Sequence, residues 1–189
     1  MKNVLVINGH EYYDFAKGEL NKTMFDEIVQ TLDGAYEVKT TVVDAGYDIK
    51  EEQEKYKWAD IVIYQTPIYW FSLPAKFKKY MDEVYEYGVF FAGSAEGYGK
   101  GGLMKGKKYM FSTTWNAPVT EYNNAEGFFA GKDFEDSIAH LHYAQQFIGM
   151  EPLKSFGAHD VIANPDITLY KRELQAHLED VFEITANQS

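Results

Sequence analysis

The segment Asp60-Ile61-Val62-Ile63-Tyr64-Gln65-Thr66-Pro67-Ile68-Tyr69-Trp70-Phe71-Ser72-Leu73-Pro74 constrains the fold more than any other part of the chain. Its first half is a short, continuous apolar run rich in β-branched residues, the pattern of a strand covered on both faces. The run breaks at Pro67, passes three large side chains and reaches Pro74. Beyond it Phe77, Tyr80, Met81, Val84 and Tyr85 recur at helical spacing, which predicts a helix over 75–87. A proline is tolerated in a first helical turn, because its missing N–H has no helical partner there. The unit is therefore strand, aromatic loop, helix. A strand buried on both faces belongs to a parallel sheet, and ligands bind such sheets at the carboxyl ends of their strands.

The same alternation repeats along the chain. Residues 2–8 carry the run Val4-Leu5-Val6-Ile7, followed by the polar and aromatic loop 9–18 and a helix from Glu19 with Leu20, Met24, Ile28 and Leu32 on one face. Asp33-Gly34 closes that helix, with glycine just past its end. Residues 36–43 alternate like a strand nearer the sheet edge, and 48–58 read as a short helix. After a glycine-rich stretch, 88–106, comes a fourth strand at 108–114. A long loop, 118–131, leads to a helix over 132–149, a short fifth strand around 153–157 and a last helix over about 166–183. Five βα units in 189 residues predict an α/β fold. Its sheet is five-stranded, parallel and doubly wound in the flavodoxin-like manner, with helices on both faces and one domain spanning 1–189.

Charge and composition exclude several functions. With 29 acidic against 18 basic residues and a net charge of −11, the chain lacks the basic face of a nucleic-acid binder or of an anionic-membrane binder. No apolar run reaches the roughly 18–20 residues a bilayer span needs. The N-terminal apolar run is too short for a signal peptide and has no small-residue cleavage site. There are no cysteines, so disulfides, thiolate catalysis and cysteine-held metals are ruled out, and the cytosol is the expected compartment. The single arginine is Arg172, so a bound phosphate near the N-terminal loops has to rely on backbone N–H groups, hydroxyls or lysine.

In the flavodoxin-like topology the switch point lies between the first and third strands, which brings together loops 9–18, 66–74 and 114–118. The first ends at Gly18 immediately before a helix, where free N–H groups and the helix dipole favour an anion such as phosphate. The other two supply Tyr69, Trp70, Phe71 and Trp115 as flat apolar surface. A phosphate cradle beside an aromatic wall is the pattern of a flavin-nucleotide site. The plainer alternative makes the tryptophans core residues and Gly18 a turn.

Other motifs are weaker. Gly101-Gly102-Leu103-Met104-Lys105-Gly106-Lys107-Lys108 lacks the Ser/Thr of a phosphate-binding loop and precedes a strand where that motif needs a helix. His140 and His142, two residues apart on a helix, point in different directions and cannot share an ion, so no metal site is expected. Asn21-Lys22-Thr23 satisfies a glycosylation sequon but lies at a helix start. No G-x-S-x-G nominates a hydrolase serine. The carboxylate pairs Glu51-Glu52 and Asp82-Glu83 read as solvated helix positions.

Four segments together resemble the NAD(P)H:quinone reductases of the modulator-of-drug-activity-B type, within the wider DT-diaphorase family. They are Ala16-Lys17-Gly18-Glu19-Leu20-Asn21, Gln65-Thr66-Pro67-Ile68-Tyr69-Trp70-Phe71, Gly101-Gly102-Leu103 with Gly106-Lys107-Lys108-Tyr109, and Thr114-Trp115-Asn116-Ala117-Pro118. The similarity extends over essentially the whole chain, including 147–153. It implies a cytoplasmic homodimer containing FAD, with FMN left open by the pattern alone. It further implies two-electron transfer from NAD(P)H to quinones.

Carried over by position, Ala16, Lys17, Gly18, Glu19, Leu20, Asn21, Lys22 and Thr23 would hold the cofactor phosphates. Ile68, Tyr69, Trp70 and Phe71 would edge its ring, and Thr114, Trp115, Asn116 and Ala117 would lie against it from the far side. Tyr98 would contact the cofactor near the dimer interface. Two departures stand out. Relatives often carry serine or histidine where this chain has Phe15-Ala16-Lys17, and histidine within Phe-Phe-His-Gly where it has Phe128-Phe129-Ala130-Gly131.

The expected mechanism is ping-pong hydride transfer from NAD(P)H through the flavin to a quinone, with Phe128 and Phe129 as the substrate-facing wall. No side chain is nominated as an essential acid or base, since the reactive atom belongs to the cofactor. Two rival functions are a flavodoxin-type electron carrier and a regulatory subunit of a potassium-efflux system. The long loops 88–106 and 118–131 favour the enzyme.

Overall fold

The computed structural model describes residues 1–184 and carries the expected alternation. Strands β1 (Asn3–Asn8), β2 (Glu37–Val42), β3 (Ile61–Pro67) and β4 (Lys108–Thr114) interleave with helices α1 (Glu19–Leu32), α2 (Ile49–Trp58) and α3 (Ala75–Val84). Beyond β4 follow α4 (Phe134–Ser137), α5 (Ala139–Phe147), β5 (Glu151–Pro152), β6 (Phe156–Ala158) and α6 (Ile167–Val181). The strand order is β2-β1-β3-β4-β5, with β6 also paired to β4, and every pairing is parallel.

Alternation along the strands divides the interior into two cores. Leu5, Ile7, Val62, Tyr64, Tyr109 and Phe111 point to one face, where Tyr56 of α2, Phe77, Tyr80 and Met81 of α3, and Leu141 of α5 meet them. Val4, Val6, Ile61, Ile63 and Met110 point to the other, against Met24, Ile28 and Leu32 of α1 and Leu174 and Leu178 of α6. A strand between two cores must be apolar on both sides, which is why β1 and β3 read as unbroken runs. Each large side chain buried this way contributes roughly 1.5–3 kcal/mol. Gly9 ends β1 without a side chain because the ring of Phe77 occupies the space; a Cβ there would lie 2.1 Å from it.

Three features differ from the sequence expectation. The helix expected over 132–149 is two helices, broken at Ile138. Ser137 Oγ donates to the Phe134 carbonyl at 2.6 Å and competes with the helical hydrogen bond there. The single fifth strand is two short segments. Between them the Ser155 N–H turns from the sheet to donate to Glu135 Oε1 at 2.6 Å. Finally, Glu52 is not solvated but 1% exposed. Its carboxylate accepts from Thr41 Oγ1 and Tyr80 Oη, both at 2.7 Å, and pairs with Lys55 at 2.7 Å, so the buried charge is fully compensated.

One polar chain crosses the sheet at its carboxyl end. Asn21 Nδ2 donates to Asn8 Oδ1 at 2.8 Å, Gln65 Nε2 to Asn21 Oδ1 at 3.0 Å, and Ser112 Oγ to Gln65 Oε1 at 2.6 Å. The His10 N–H adds a further donor to Asn8 Oδ1 at 3.0 Å. Buried polar groups are tolerable only when paired, and here each amide completes its neighbour. Gln65→Leu should leave Asn21 Oδ1 and Ser112 Oγ without partners and lower stability by about 2–3 kcal/mol, measured as a shift of the urea midpoint.

Candidate functional site

The carboxyl ends of β1, β3 and β4 open onto one cleft. The loop after β1 folds back on itself through Tyr13 N–H to Ala16 O at 3.1 Å and Ala16 N–H to Tyr13 O at 2.9 Å. His10 Nε2 donates to the Ala16 carbonyl at 3.0 Å and so tucks the loop down onto the strand end. Gly18 then enters α1 in the left-handed region, φ 83°. A Cβ at Gly18 would lie 2.4 Å from the His10 ring, so conformation and space both demand glycine.

The resulting hollow, about 250 Å³, is bordered by His10, Lys17, Gly18, Lys22, Asp26 and Asp44. No side chain caps the start of α1, so the N–H groups of its first turn are available to a ligand. Lys17 and the helix dipole supply positive potential, and two of the three acids on the hollow, Asp26 and Asp44, are engaged by lysines. Lys22 pairs with Asp26. Lys76 Nζ bonds Asp44 at 2.8 Å and holds that carboxyl below its usual range. This is a donor set for a phosphate.

Of residues 16–23, Lys17, Gly18, Glu19 and Lys22 border the hollow. The side chains of three others are committed elsewhere: Leu20 packs against the core beneath α1, Asn21 belongs to the polar chain, and Thr23 Oγ1 donates to the Glu19 carbonyl at 2.9 Å. Their backbone groups remain at the helix start, as Ala16 does at the loop's end. His10 was not among the residues that sequence reasoning singled out. Its available signal was position, as a polar ring two residues past the last residue of a central strand.

The second wall is a tight turn. Tyr69 and Ser72 exchange two backbone hydrogen bonds, at 2.9 and 3.1 Å, around Trp70 (φ 48°) and Phe71 (φ 64°). Two successive positive φ values make this a type I′-like turn, a geometry that Asn-Gly adopts readily and bulky residues adopt at a cost of about 1–2 kcal/mol each. The strain has a product: Trp70 stands 94% exposed on the crest. Tyr69 packs edge-on against Tyr13 of the first loop, centroids 5.6 Å apart, so cradle and turn adjoin. Ile68 lies just below, its N–H bonded to Thr114 O at 3.0 Å.

The third wall corrects one expectation. Trp115 is 3% exposed, with Nε1 donating to Thr113 Oγ1 at 2.9 Å and its ring set among Phe129, Phe134 and Tyr122. Its indole is core, and its N–H and C=O are bonded to Ala158 and Val161; in the segment Thr114–Ala117 only Asn116 is exposed. Of the two tryptophans nominated as ligand surface, Trp70 is exposed and Trp115 is not. His159 Nδ1 donates to the Ala117 carbonyl at 3.2 Å and steadies this segment from below.

Loop 118–133 closes one side. Phe128, exposed, stacks on Phe71 at 5.4 Å and 13°, while Phe129 stacks on Tyr122 at 4.6 Å and 8° and roots the loop in the core. Phe128 is therefore the outward wall and Phe129 its anchor. Tyr98 lies elsewhere, 94% exposed beside Phe147 in a separate groove of about 670 Å³ with Phe91 and Tyr143. His140 and His142 do diverge, the first to the Phe71 carbonyl, the second between Tyr109 and Glu135. Among the described residues no cluster of three metal-ligating side chains occurs, and no helix is long and apolar enough to cross a membrane.

Fold and site together define a flavodoxin-like protein, and the chain belongs to that family: the family described as having a flavodoxin-like fold matches residues 2–180. The chain is 39% identical to the NADPH:quinone oxidoreductase MdaB of Haemophilus influenzae, over 95% of this chain and 99% of that one. Among solved structures it is similar to a putative quinone reductase from Klebsiella pneumoniae, with a TM-score of 0.75, 23% identity and coverage of 99% and 86%. It is also similar to general stress protein 14 of Treponema denticola in complex with FMN, with a TM-score of 0.73, 20% identity and coverage of 98% and 100%.

Burial holds His159 below its ordinary pKa, so the folded chain binds fewer protons there than the unfolded chain does. The stability this represents is complete above the ordinary histidine value of about 6.5 and is lost as pH falls through the lower folded value. Thermal unfolding temperature should therefore decline on acidification below about pH 6.5. His159→Asn should flatten that part of the profile.

Proposed function

We propose that this chain is an NAD(P)H:quinone oxidoreductase that works through a bound flavin. The observation that carries the reading is the juxtaposition of an anion cradle at Gly18 with an exposed Trp70 rim on the adjoining loop, a phosphate site beside a ring site. The 39% identity with an NADPH:quinone oxidoreductase over nearly the full length of both chains supports the same reading. The donor set of the hollow, uncapped N–H groups at the start of α1 beside Lys17 and Lys22, fits the phosphate of a flavin nucleotide.

In this proposal the first-turn N–H groups of α1, with Lys17 and Lys22, hold the phosphates, while His10 keeps the loop seated on the strand end. Ile68, Tyr69, Trp70 and Phe71 line one edge of the ring. Thr114, Asn116 and Ala117 would lie against it from the other side, where the N–H groups of Asn116 and Ala117 could stabilise negative charge; the Trp115 N–H is already given to the Ala158 carbonyl at 2.8 Å. A flavin held there would supply the hydride chemistry between NAD(P)H and a quinone. The protein's contribution is to orient both partners and keep the cleft dry. Phe128 and Phe71 form the apolar wall against which nicotinamide and quinone would alternate. FAD is the proposed form, and the chain is proposed to act in the cytoplasm.

The remaining nominated residue, Tyr98, fits only a dimer. It stands on a groove along α5, and a second hollow, sharing Tyr85 and Ala144 with it, lies between α3 and α5 and begins at Ser72 and Leu73 beside the aromatic turn. A homodimer packed on this face would bring Tyr98 of one protomer to the cleft of the other, and would cover the apolar groove.

Steady-state NAD(P)H oxidation with menadione tests the function. Rapid turnover is expected; a flavin-loaded protein that fails to turn over would instead be an electron carrier. Heat release and chromatography of the flavin should identify FAD. Trp70→Ala should reduce flavin retention about tenfold, as loss of one stacked aromatic contact predicts, with no change in the far-UV spectrum. Gel filtration should return twice the chain mass.

A further inference from the structure

The turn at Trp70 and Phe71 holds two bulky residues at positive φ, and such a conformation persists only where the surroundings over-determine it. Its own two hydrogen bonds use the N–H and C=O groups of Tyr69 and Ser72 and leave the Phe71 carbonyl over. Side-chain contacts brace it as well, Tyr69 on Tyr13 and Phe71 on Phe128, Phe129 and the buried Trp115, but ring contacts of this kind fix no backbone direction. The Phe71 carbonyl is met differently. His140 Nε2, from the first turn of α5, lies 2.8 Å away, and since a carbonyl can only accept, the ring N–H donates.

We propose that His140 is a positioning residue of the cleft: it clamps the Phe71 carbonyl to α5 and thereby keeps the strained turn, with Trp70 on its crest, in the orientation that faces the cofactor. The inference rests on the flavin reading for its functional consequence. The clamp itself rests on geometry alone. His140 is exposed and contributes little to either core, and its ring makes this one hydrogen bond among the described residues. A helix is the right origin for such a group, because a side chain on a packed helix is fixed more firmly than one on a loop. The neighbouring Leu141 supplies that fixity, buried against the core beneath α5. The two roles are therefore divided between adjacent residues, one holding the helix and the other the turn.

Hydrogen–deuterium exchange on the flavin-free protein tests the clamp. His140→Ala and His140→Phe, which removes the donor but keeps bulk, should each speed exchange of a peptide covering residues 68–73 severalfold, up to tenfold, while β1 and β4 stay protected. Both should weaken flavin binding by a similar factor. His140→Gln, which retains an N–H donor of comparable reach, should restore part of both. Unchanged exchange at 68–73 in the Ala and Phe variants would overturn the proposal. So would acceleration spread evenly over β1, β3 and β4, which would mark His140 as a support of the whole fold. Flavin uptake by the unmodified chain separates the two readings: if it takes up neither FAD nor FMN, the flavin site fails while the exchange data still decide the clamp.

Discussion

The cleft depends on the hydrogen-bonded chain Asn8–Asn21–Gln65–Ser112. Each member lies on a different element, namely β1, α1, β3 and β4, and each sits at the end from which a site loop departs. Apolar packing fixes distances between layers but slides easily along them, because it is nearly indifferent to direction. Amide-to-amide hydrogen bonds are directional, and in a buried setting a misplaced partner costs the full desolvation of the group. The chain therefore sets the register of three loops relative to one another. The same Asn8 Oδ1 also receives the His10 N–H, so the register passes directly into the phosphate cradle.

The aromatic rim obeys a different logic. Large apolar side chains ordinarily gain by burial, yet Trp70, Phe71 and Phe128 are all exposed. The two positive φ values at Trp70 and Phe71 show how: the backbone is turned so that these rings cannot fold back into the sheet. Trp115, a few ångströms away in the third wall, has an ordinary strand-end conformation and sinks into the core. Exposed aromatic surface maintained against both hydrophobic and torsional cost is a feature of binding sites, where a ligand's ring supplies the missing contact.

Much of this was legible in the sequence, for physical reasons. A strand covered on both faces must be apolar throughout, so the parallel sheet and the order of its units could be read from β1, β3 and β4. The cradle was legible because glycine before a helix is a local requirement. Less visible were outcomes decided by partners distant in sequence. Whether Trp70 or Trp115 faces the cleft depends on backbone torsion and on Phe129 and Phe134, which no local pattern records. Glu52 reads as a solvated helix position until Thr41 and Tyr80 arrive from two other elements. The fifth strand splits because Glu135, twenty residues away, takes the Ser155 N–H. The break at Ile138 is the exception, since Ser137 carried a local signal in a hydroxyl able to compete for a helical carbonyl.

The charge of the chain raises a last question, since NAD(P)H and flavin phosphates are anions and the protein carries −11. Net charge acts over distance, and at physiological ionic strength exposed charges more than about 8 Å apart are largely screened. What an anion there would meet is then the local field, in which Asp26 is engaged by Lys22 and Asp44 by Lys76, leaving Glu19 as the one acid on the hollow without an ion pair among the described residues. The dipole of a fourteen-residue helix and the uncapped first-turn N–H groups are left to act at short range. Without an arginine near the cradle, an anion in the proposed site would rest on backbone donors more than on ion pairing. Such a site would hold an anion by shape, and the backbone at Gly18 would then matter more to it than the identity of any one lysine.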